Sequence, residues 1–190
     1  SLSSGPCRPF DKSRDGLSLG EGTGTIILTR QPSLSEGKNN VVVGEGFSTN
    51  DANHISGPSR TGEGLFIAIN RLLKKNQSGI DYISAHGTAT SYNDEMESVA
   101  ITRAGLQSVP LNSFKGYWGH TLGAAGIIES IMCIWSIRNS VLFSTKGFHE
   151  SGVTNPLCVI DKPVKKEINT CLKIASGFGG CNAALLFLKK

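Results

Sequence analysis

The stretch that decides the fold spans residues 80–90 and reads IDYISAHGTAT. It begins as a short β-like run, Ile80 to Ser84, and reaches His86 in a loop rich in glycine and threonine. A second segment repeats this order, because a β-like run from Val109 to Phe114 leads to His120 in the loop GHTLGAAG. Side chains at the carboxyl ends of strands in an α/β fold converge on one crevice. The sequence therefore predicts that the two imidazoles meet.

A pair of converging imidazoles indicates a particular chemistry. Histidine changes charge near neutral pH, so two of them suit general acid/base or electrostatic work on an acyl group. The alternative is two hydrogen-bonded loop histidines without a chemical role, which is the usual explanation for a single buried polar side chain. The matching surroundings of His86 and His120 favour a functional site.

Composition narrows the class of protein. The 190 residues correspond to one ordinary domain or to a piece of a larger protein. The formal charge of +4 is spread along the chain, and no basic residues interleave with aromatic ones, so we expect no nucleic-acid partner. Five cysteines without CxxC spacing argue against a disulfide framework or a metal site and for a reducing, cytoplasmic location. No apolar run reaches transmembrane length and no signal peptide is visible, so we expect no membrane insertion.

Hydrophobic periodicity predicts alternating strands and helices. The further β-like runs are Thr23–Thr29, Asn40–Gly46, Cys171–Ala175 and Ala183–Leu188, and residues 31–39 between the first two read as a polar connection. The helix-like stretches are Leu65–Leu73, a segment from Asp94 to a stop at Gly105 with Asn93 as its N-cap, and Ala124–Arg138. The last is apolar nearly all round and is predicted to be buried. Such alternation is typical of a layered α/β sheet.

Glu129 breaks the apolar pattern of the last predicted helix. A buried, unpaired carboxylate costs several kcal/mol, on the order of a buried unpaired charge, so it requires a cation or hydrogen-bond donors. Lys115, which lies just before the His120 loop, is the natural partner. The alternative is that Glu129 lies at the edge of the helix in water.

Several motifs, in this order, resemble one family. They are Cys7–Gly16, Leu19–Gly22, Asp51–His54, the two histidine loops and Gly177–Asn182. The chain resembles the carboxyl-terminal portion of the β-ketoacyl-acyl-carrier-protein synthases, the condensing enzymes of the thiolase fold, and especially their type II elongating members. The resemblance implies one half of a duplicated αβαβα sandwich, a mixed β-sheet with helices on its faces. Residues 1–50, a loop and two strands, would end the amino-terminal half, and residues 51–190 would form the carboxyl-terminal half-domain.

The resemblance also implies catalytic roles. His86 and His120 would donate hydrogen bonds to a thioester oxygen as enolate charge develops, which is electrostatic stabilisation of the oxyanion type. Neutral imidazoles with a proton on Nε2 would suit this task. Lys115 and Glu129 would form a supporting pair that fixes His120. The reaction would be the decarboxylative condensation of acyl and malonyl thioesters.

Substrate delivery is implied in the same way. Thr88 and Thr90 would hydrogen-bond the phosphopantetheine arm of an acyl carrier protein, with no tightly bound cofactor. The partners implied are that carrier protein, the amino-terminal half of the same protein, and a second copy in a homodimer.

A further implied element is a gate in the Gly177–Asn182 motif. Phe178 would swing between closed and open acyl pockets, with Gly177 and Gly179 supplying backbone freedom. Asp51 and His54 would belong to a neighbouring loop that moves with it.

Three departures from the family pattern stand out. Ser176 replaces a second aromatic residue before Phe178, and Cys181 replaces the usual threonine. None of the five cysteines lies in the strand-to-helix elbow of the family nucleophile, which would belong to the amino-terminal half. We therefore expect the 190-residue chain alone to be inactive. The alternative function is a non-condensing partner subunit like a chain-length factor, although the retained histidines and Lys115 favour the enzyme.

Overall fold

The computed structural model describes residues 1–30, 40–76 and 78–190. The larger of its two sheets has five strands, which are β1 (Val41–Asn50), β2 (Tyr82–Ser84), β3 (Leu111–Asn112), β6 (Thr170–Gly177) and β7 (Cys181–Lys189). Their order across the sheet is β1-β7-β6-β2-β3. The α-helices are α1 (Glu63–Lys75), α2 (Ser91–Arg103), α3 (Lys115–Trp118) and α4 (Ala125–Asn139). A small antiparallel pair is formed by β4 (Val141–Leu142) and β5 (Val164–Lys165).

The large sheet is mixed and carries helices on both faces. Strand β2 is parallel to β3 and β6, whereas β7 is antiparallel to β6 and β1. Successive strand residues point to opposite faces, and the core divides accordingly. Ile83 packs with the apolar residues of α1 and α2, while its neighbour Tyr82 packs with Cys133 and Ile137 of α4. The predicted α/β class with a thiolase-like layered sheet is confirmed.

Two predicted tail strands are also confirmed, since β6 and β7 form a hairpin closed by the turn at residues 178–180. The predicted strand Asn40–Gly46 corresponds to β1, which is paired with β7. The division of the chain at residue 50 stays a prediction. The predicted connection at residues 31–39 lies outside the described residues.

The strand predicted at Thr23–Thr29 is wrong. Its threonines and isoleucines have high β propensity, but such residues form a strand only where a partner strand is available for pairing. In the described part of the chain this stretch is paired with no strand, and Ile27 and Leu28 are exposed.

Two details of the predicted helices are also wrong. Helix α2 begins at Ser91, and Thr90 rather than Asn93 is its N-cap, with Thr90 Oγ1 accepting from the backbone N–H of Asn93 at 3.4 Å. The side chain of Asn93 instead donates to Glu97 within the helix. Helix α4 is not buried all round, because Trp135 is 44% exposed. Only part of the helix surface is buried, and several of its apolar residues are partly accessible.

The parallel pairing of β2 and β3 positions the site. Ser84 and Asn112 lie side by side at the carboxyl ends of these strands, so the segments that follow them emerge at the same edge of the sheet. The first segment carries His86, and the second carries Lys115 and then His120.

Candidate active site

The two histidines meet, as predicted. Their ring centroids are 5.1 Å apart, and the planes are nearly perpendicular at 83°. His86 is buried and His120 is half-buried, and both line a cleft of about 1100 Å³. This is the size of a pocket that holds a substantial ligand.

Hydrogen bonds fix the same tautomer in both rings. The ammonium of Lys115 lies 3.2 Å from Nδ1 of His86, and the backbone N–H of Leu122 donates to Nδ1 of His120 at 3.0 Å. An ammonium and a backbone N–H can only donate, so each Nδ1 is an acceptor. In a neutral imidazole the other nitrogen then carries the proton. Both histidines are therefore Nε2–H donors.

The surroundings also keep both rings uncharged. Burial, followed by the positive charge of Lys115, lowers the pKa of His86 well below its ordinary value. The same two causes lower the pKa of His120 to about 4. At neutral pH the site therefore presents two neutral donors rather than imidazolium ions.

The predicted pairing of Glu129 with Lys115 is confirmed. Lys115 Nζ lies 2.6 Å from Glu129 Oε1, and both side chains are buried. The expectation that this pair fixes His120 is wrong. Lys115 instead hydrogen-bonds to Nδ1 and to the carbonyl oxygen of His86. The reason is that Lys115 follows β3, which lies directly beside the strand that leads to His86. His120 is held by the backbone of Ser18 and by Leu122.

Glu129 has a second lysine partner, Lys173, which the sequence analysis did not predict. Lys173 Nζ lies 2.6 Å from Glu129 Oε2, and Lys173 is almost completely buried within β6. The sequence carries a signal, because a lysine stands between Leu172 and Ile174 in the middle of an apolar strand. Such a lysine requires a buried partner.

Two further acids of α2 were missed as site residues. Glu97 accepts the backbone N–H groups of His86 and Gly87 at 2.7 and 2.6 Å, and Asp94 accepts that of Thr88 at 2.9 Å. Burial raises the pKa of Glu97 to about 7 and that of Asp94 to about 6. These carboxyl groups hold the His86 loop in shape. Their spacing of three residues on a helix that directly follows the loop is the signal that could have found them.

Thr88 and Thr90 lie together on the wall of the cleft. Their Oγ1 atoms are 2.8 Å apart, and both residues line the same cleft as the histidines. The two hydroxyl groups are placed side by side, with Thr90 anchored as the N-cap of α2. They offer a polar strip along a mainly apolar cavity.

Phe178 lies at the mouth of the cleft and is 79% exposed. Gly179 has φ +79°, a left-handed conformation that favours glycine, whereas Gly177 has φ −127° and is ordinary extended backbone. In this conformation only Gly179 adopts a backbone geometry that favours glycine, and the gating role of Phe178 with its two glycines stays a prediction.

The loop after β1 is hydrogen-bonded to the Phe178 turn. Asp51 Oδ1 accepts from Asn182 Nδ2 at 2.9 Å, and the backbone N–H of Asp51 donates to the carbonyl oxygen of Gly180. The backbone N–H of Gly179 in turn donates to Ile55 O at 2.6 Å. His54 contributes within its own loop, where Nδ1 accepts from the backbone of residues 56 and 57.

The described residues contain neither a metal-binding cluster nor a membrane-spanning helix. Within residues 1–30, 40–76 and 78–190, no group of three or more His, Cys, Asp or Glu side chains is arranged to hold a metal ion. Across the same residues, no helix is both long enough and apolar enough to span a bilayer.

Comparison with known proteins identifies the family. Residues 40–149 match the family described as "Beta-ketoacyl synthase, C-terminal domain". The chain is 38% identical over 200 residues to a putative mitochondrial 3-oxoacyl-[acyl-carrier-protein] synthase of Schizosaccharomyces pombe, covering 96% of the chain and 46% of the relative. It is 35% identical over 189 residues to 3-oxoacyl-[acyl-carrier-protein] synthase 2 of Rhizobium meliloti, covering 94% of the chain and 44% of the relative.

A solved structure agrees. "The ishigamide ketosynthase/chain length factor" superposes with a TM-score of 0.89 at 31% identity, covering 100% of this chain and 48% of the other. The protein therefore belongs to the β-ketoacyl synthase family, of which it contains the C-terminal domain. It spans less than half the length of the curated relatives it matches.

Proposed function

We propose that the chain is the carboxyl-terminal part of a 3-oxoacyl-[acyl-carrier-protein] synthase, and that it stabilises the enolate formed when a malonyl thioester loses carbon dioxide. One observation carries this proposal: two neutral Nε2–H donors, on His86 and His120, converge in one cleft. Preorganised donors aimed at developing negative charge are the largest contribution in many acyl-transfer enzymes.

In the proposed reaction the C–C bond to the carboxylate of malonyl breaks and carbon dioxide leaves. The electron pair moves into the thioester, whose oxygen gains charge and accepts hydrogen bonds from His86 and His120. The resulting carbanion attacks the carbonyl carbon of an acyl group bound to a cysteine nucleophile. A new C–C bond forms, the C–S bond to the cysteine breaks, and the thiolate leaves. The nucleophile would be supplied by a segment outside this chain.

Neutrality of the histidines supports this role in a second way. An imidazolium would attract the malonyl carboxylate and hold it in place, whereas decarboxylation requires that carboxylate to lose its charge as carbon dioxide. The low pKa values of His86 and His120 leave them as donors without a full positive charge. Stabilisation is then directed to the enolate rather than to the ground state.

The substrates would arrive on the phosphopantetheine arm of an acyl carrier protein. Thr88 and Thr90 support this assignment, since their hydroxyl groups line the cleft beside the histidines. We further propose a homodimeric, cytoplasmic protein that acts in fatty-acid synthesis or in a related polyketide or polyene pathway.

The test uses the full-length gene product, purified with a malonyl-loaded and an acyl-loaded carrier protein. We expect release of carbon dioxide and formation of a 3-oxoacyl product, both lost in His86→Ala and retained in His149→Ala, which changes an exposed histidine outside the cleft. Condensation that is unaffected by His86→Ala would contradict the proposal.

A second candidate is a partner subunit of the chain-length-factor type. It is favoured by the similarity to a structure whose name includes a chain length factor beside a ketosynthase. This candidate predicts that the full-length gene product makes no 3-oxoacyl product alone but changes the product of a separately supplied ketosynthase. The retained histidine pair and Lys115 support the enzyme over this alternative.

A further inference from the structure

Lys173 is enclosed by oxygen atoms. Its Nζ lies 2.6 Å from Glu129 Oε2 and donates to the carbonyl oxygen of Ile174 at 2.7 Å. Two longer contacts reach the carbonyl oxygens of Ala85 at 3.3 Å and Ser84 at 3.4 Å. Every neighbour in this set is an acceptor, which matches the three donors of a lysine ammonium group. The last two carbonyl groups lie on the chain directly before His86.

The ammonium of Lys173 creates an unbalanced buried cluster. Lys115 and Lys173 share the single carboxylate of Glu129, one on each oxygen, and all three side chains are at most 5% exposed. The three groups therefore carry one net positive charge inside the protein. A simple pair of Lys115 with Glu129 would have been neutral, and burying an excess charge is costly.

We propose that Lys173 is a positioning residue for the proposed decarboxylation: it holds Glu129 so that Lys115 donates to His86, and it adds a second buried positive charge beneath the two rings. This inference rests on the proposed function. Lys173 does not line the cleft and touches neither ring, so it acts through Glu129 and through its field.

The electrostatic part follows from the positions of all charged groups around the rings. Lys173 lowers the pKa of both His86 and His120, after burial and Lys115. The titratable groups that face the pair or the cluster beneath it are Asp94 and Glu97 on α2, Lys115 on α3, Glu129 and Cys133 on α4, Tyr82 on β2, and Cys171 and Lys173 on β6. The two lysines are the cations of this set, and Lys173 is the one without a contact to either ring.

Lys173→Met in the full-length gene product tests the inference, because methionine keeps the length of the side chain and removes its charge. Two quantities are measured: the pH profile of malonyl decarboxylation, and the titration of the histidine side chains by NMR. We expect both the acidic limb and the titration of His120 to move to higher pH by about one unit, with about a 10-fold lower rate at neutral pH. Lys189→Met, which removes a surface partner of Glu167, is the matched control and should change neither.

The double variant Lys173→Met/Glu129→Gln separates charge from packing. It removes both Lys173 and its counterion, so Lys115 again leaves one net positive charge beneath the rings. We expect the acidic limb and the His120 titration to return toward the wild-type positions, which a merely structural role would not produce. This variant also serves if the single variant fails to fold, because it should then titrate like wild type.

Two results overturn the inference. One is an unchanged pH limb and histidine titration in Lys173→Met, and the other is a double variant whose histidines titrate at higher pH than those of wild type. Absence of decarboxylation in the wild-type protein would instead refute the proposed function, and the NMR titration would still decide the role of Lys173.

Discussion

Lys115 and His86 are joined at two points. The ammonium of Lys115 lies 3.2 Å from Nδ1 of His86 and also donates to the carbonyl oxygen of the same residue. Together these contacts fix both the ring and the backbone of His86, which lines the cleft, and they place its proton on Nε2. Lys115 therefore contributes to the site by setting a tautomer, which the identity of the two residues alone does not reveal.

Removal of the Glu129 carboxylate should destabilise the fold. Glu129→Leu leaves Lys115 and Lys173 buried without a counterion, at a cost of about 3–5 kcal/mol in the free energy of unfolding. Glu129→Gln retains an oxygen acceptor and should cost less. Glu167→Leu, at an exposed pair with Lys189, should change stability by less than about 1 kcal/mol. Urea unfolding of the three variants checks this order, and a leucine variant as stable as the glutamine variant would contradict it.

His120 should make stability depend on pH in a defined direction. Its pKa falls from 6.5 to about 4 on folding, so below 6.5 the unfolded chain binds a proton that the folded chain does not. The free energy of unfolding contributed by this residue therefore decreases as the pH falls from about 7.5 to about 4, the pKa in the folded state.

The variant His120→Asn isolates this contribution. The difference in unfolding free energy between wild type and His120→Asn should shrink on acidification. Chemical denaturation at a series of pH values measures this difference. A difference for His120→Asn that grows toward low pH would show that the folded state protonates this residue readily.

The Asp51 carboxylate should hold the Phe178 turn in place. Asp51→Ala removes acceptors for Asn182 Nδ2 and for the backbone N–H of Ser59. We expect amide hydrogen exchange in residues 177–182 to accelerate by about 10-fold, the equivalent of about one hydrogen bond. Asp161→Ala, at an exposed carboxylate elsewhere, is the control. Equal exchange rates in wild type and Asp51→Ala would show that Asp51 does not hold the Phe178 turn in place.

The parts of the site that depend on local sequence patterns could be predicted from the sequence. The two histidine loops follow β-like runs, and parallel strands bring such loops to one edge of a sheet, so the meeting of His86 and His120 could be predicted. The pairing of Glu129 with Lys115 followed from the cost of a lone buried carboxylate.

The rest depended on tertiary contacts. Lys115 contacts His86 because β2 and β3 are neighbouring strands. Local hydrophobic periodicity does not predict the order of strands in a sheet. Lys173 comes from β6, on the other side of β2, so its approach to Glu129 could not be inferred from spacing. Thr23–Thr29 shows the opposite failure, because a strong β propensity has no effect without a partner strand.

In the proposed reaction His86 and His120 act on the enolate rather than on the cysteine nucleophile. Two steps can be followed separately in the full-length gene product: transfer of an acyl group from its carrier to the protein, and release of carbon dioxide from the malonyl carrier. We expect His86→Ala and His120→Ala each to lower carbon dioxide release by about 100-fold or more while acyl transfer continues, with His149→Ala unchanged in both. Loss of acyl transfer with carbon dioxide release intact would instead assign both histidines to the cysteine nucleophile.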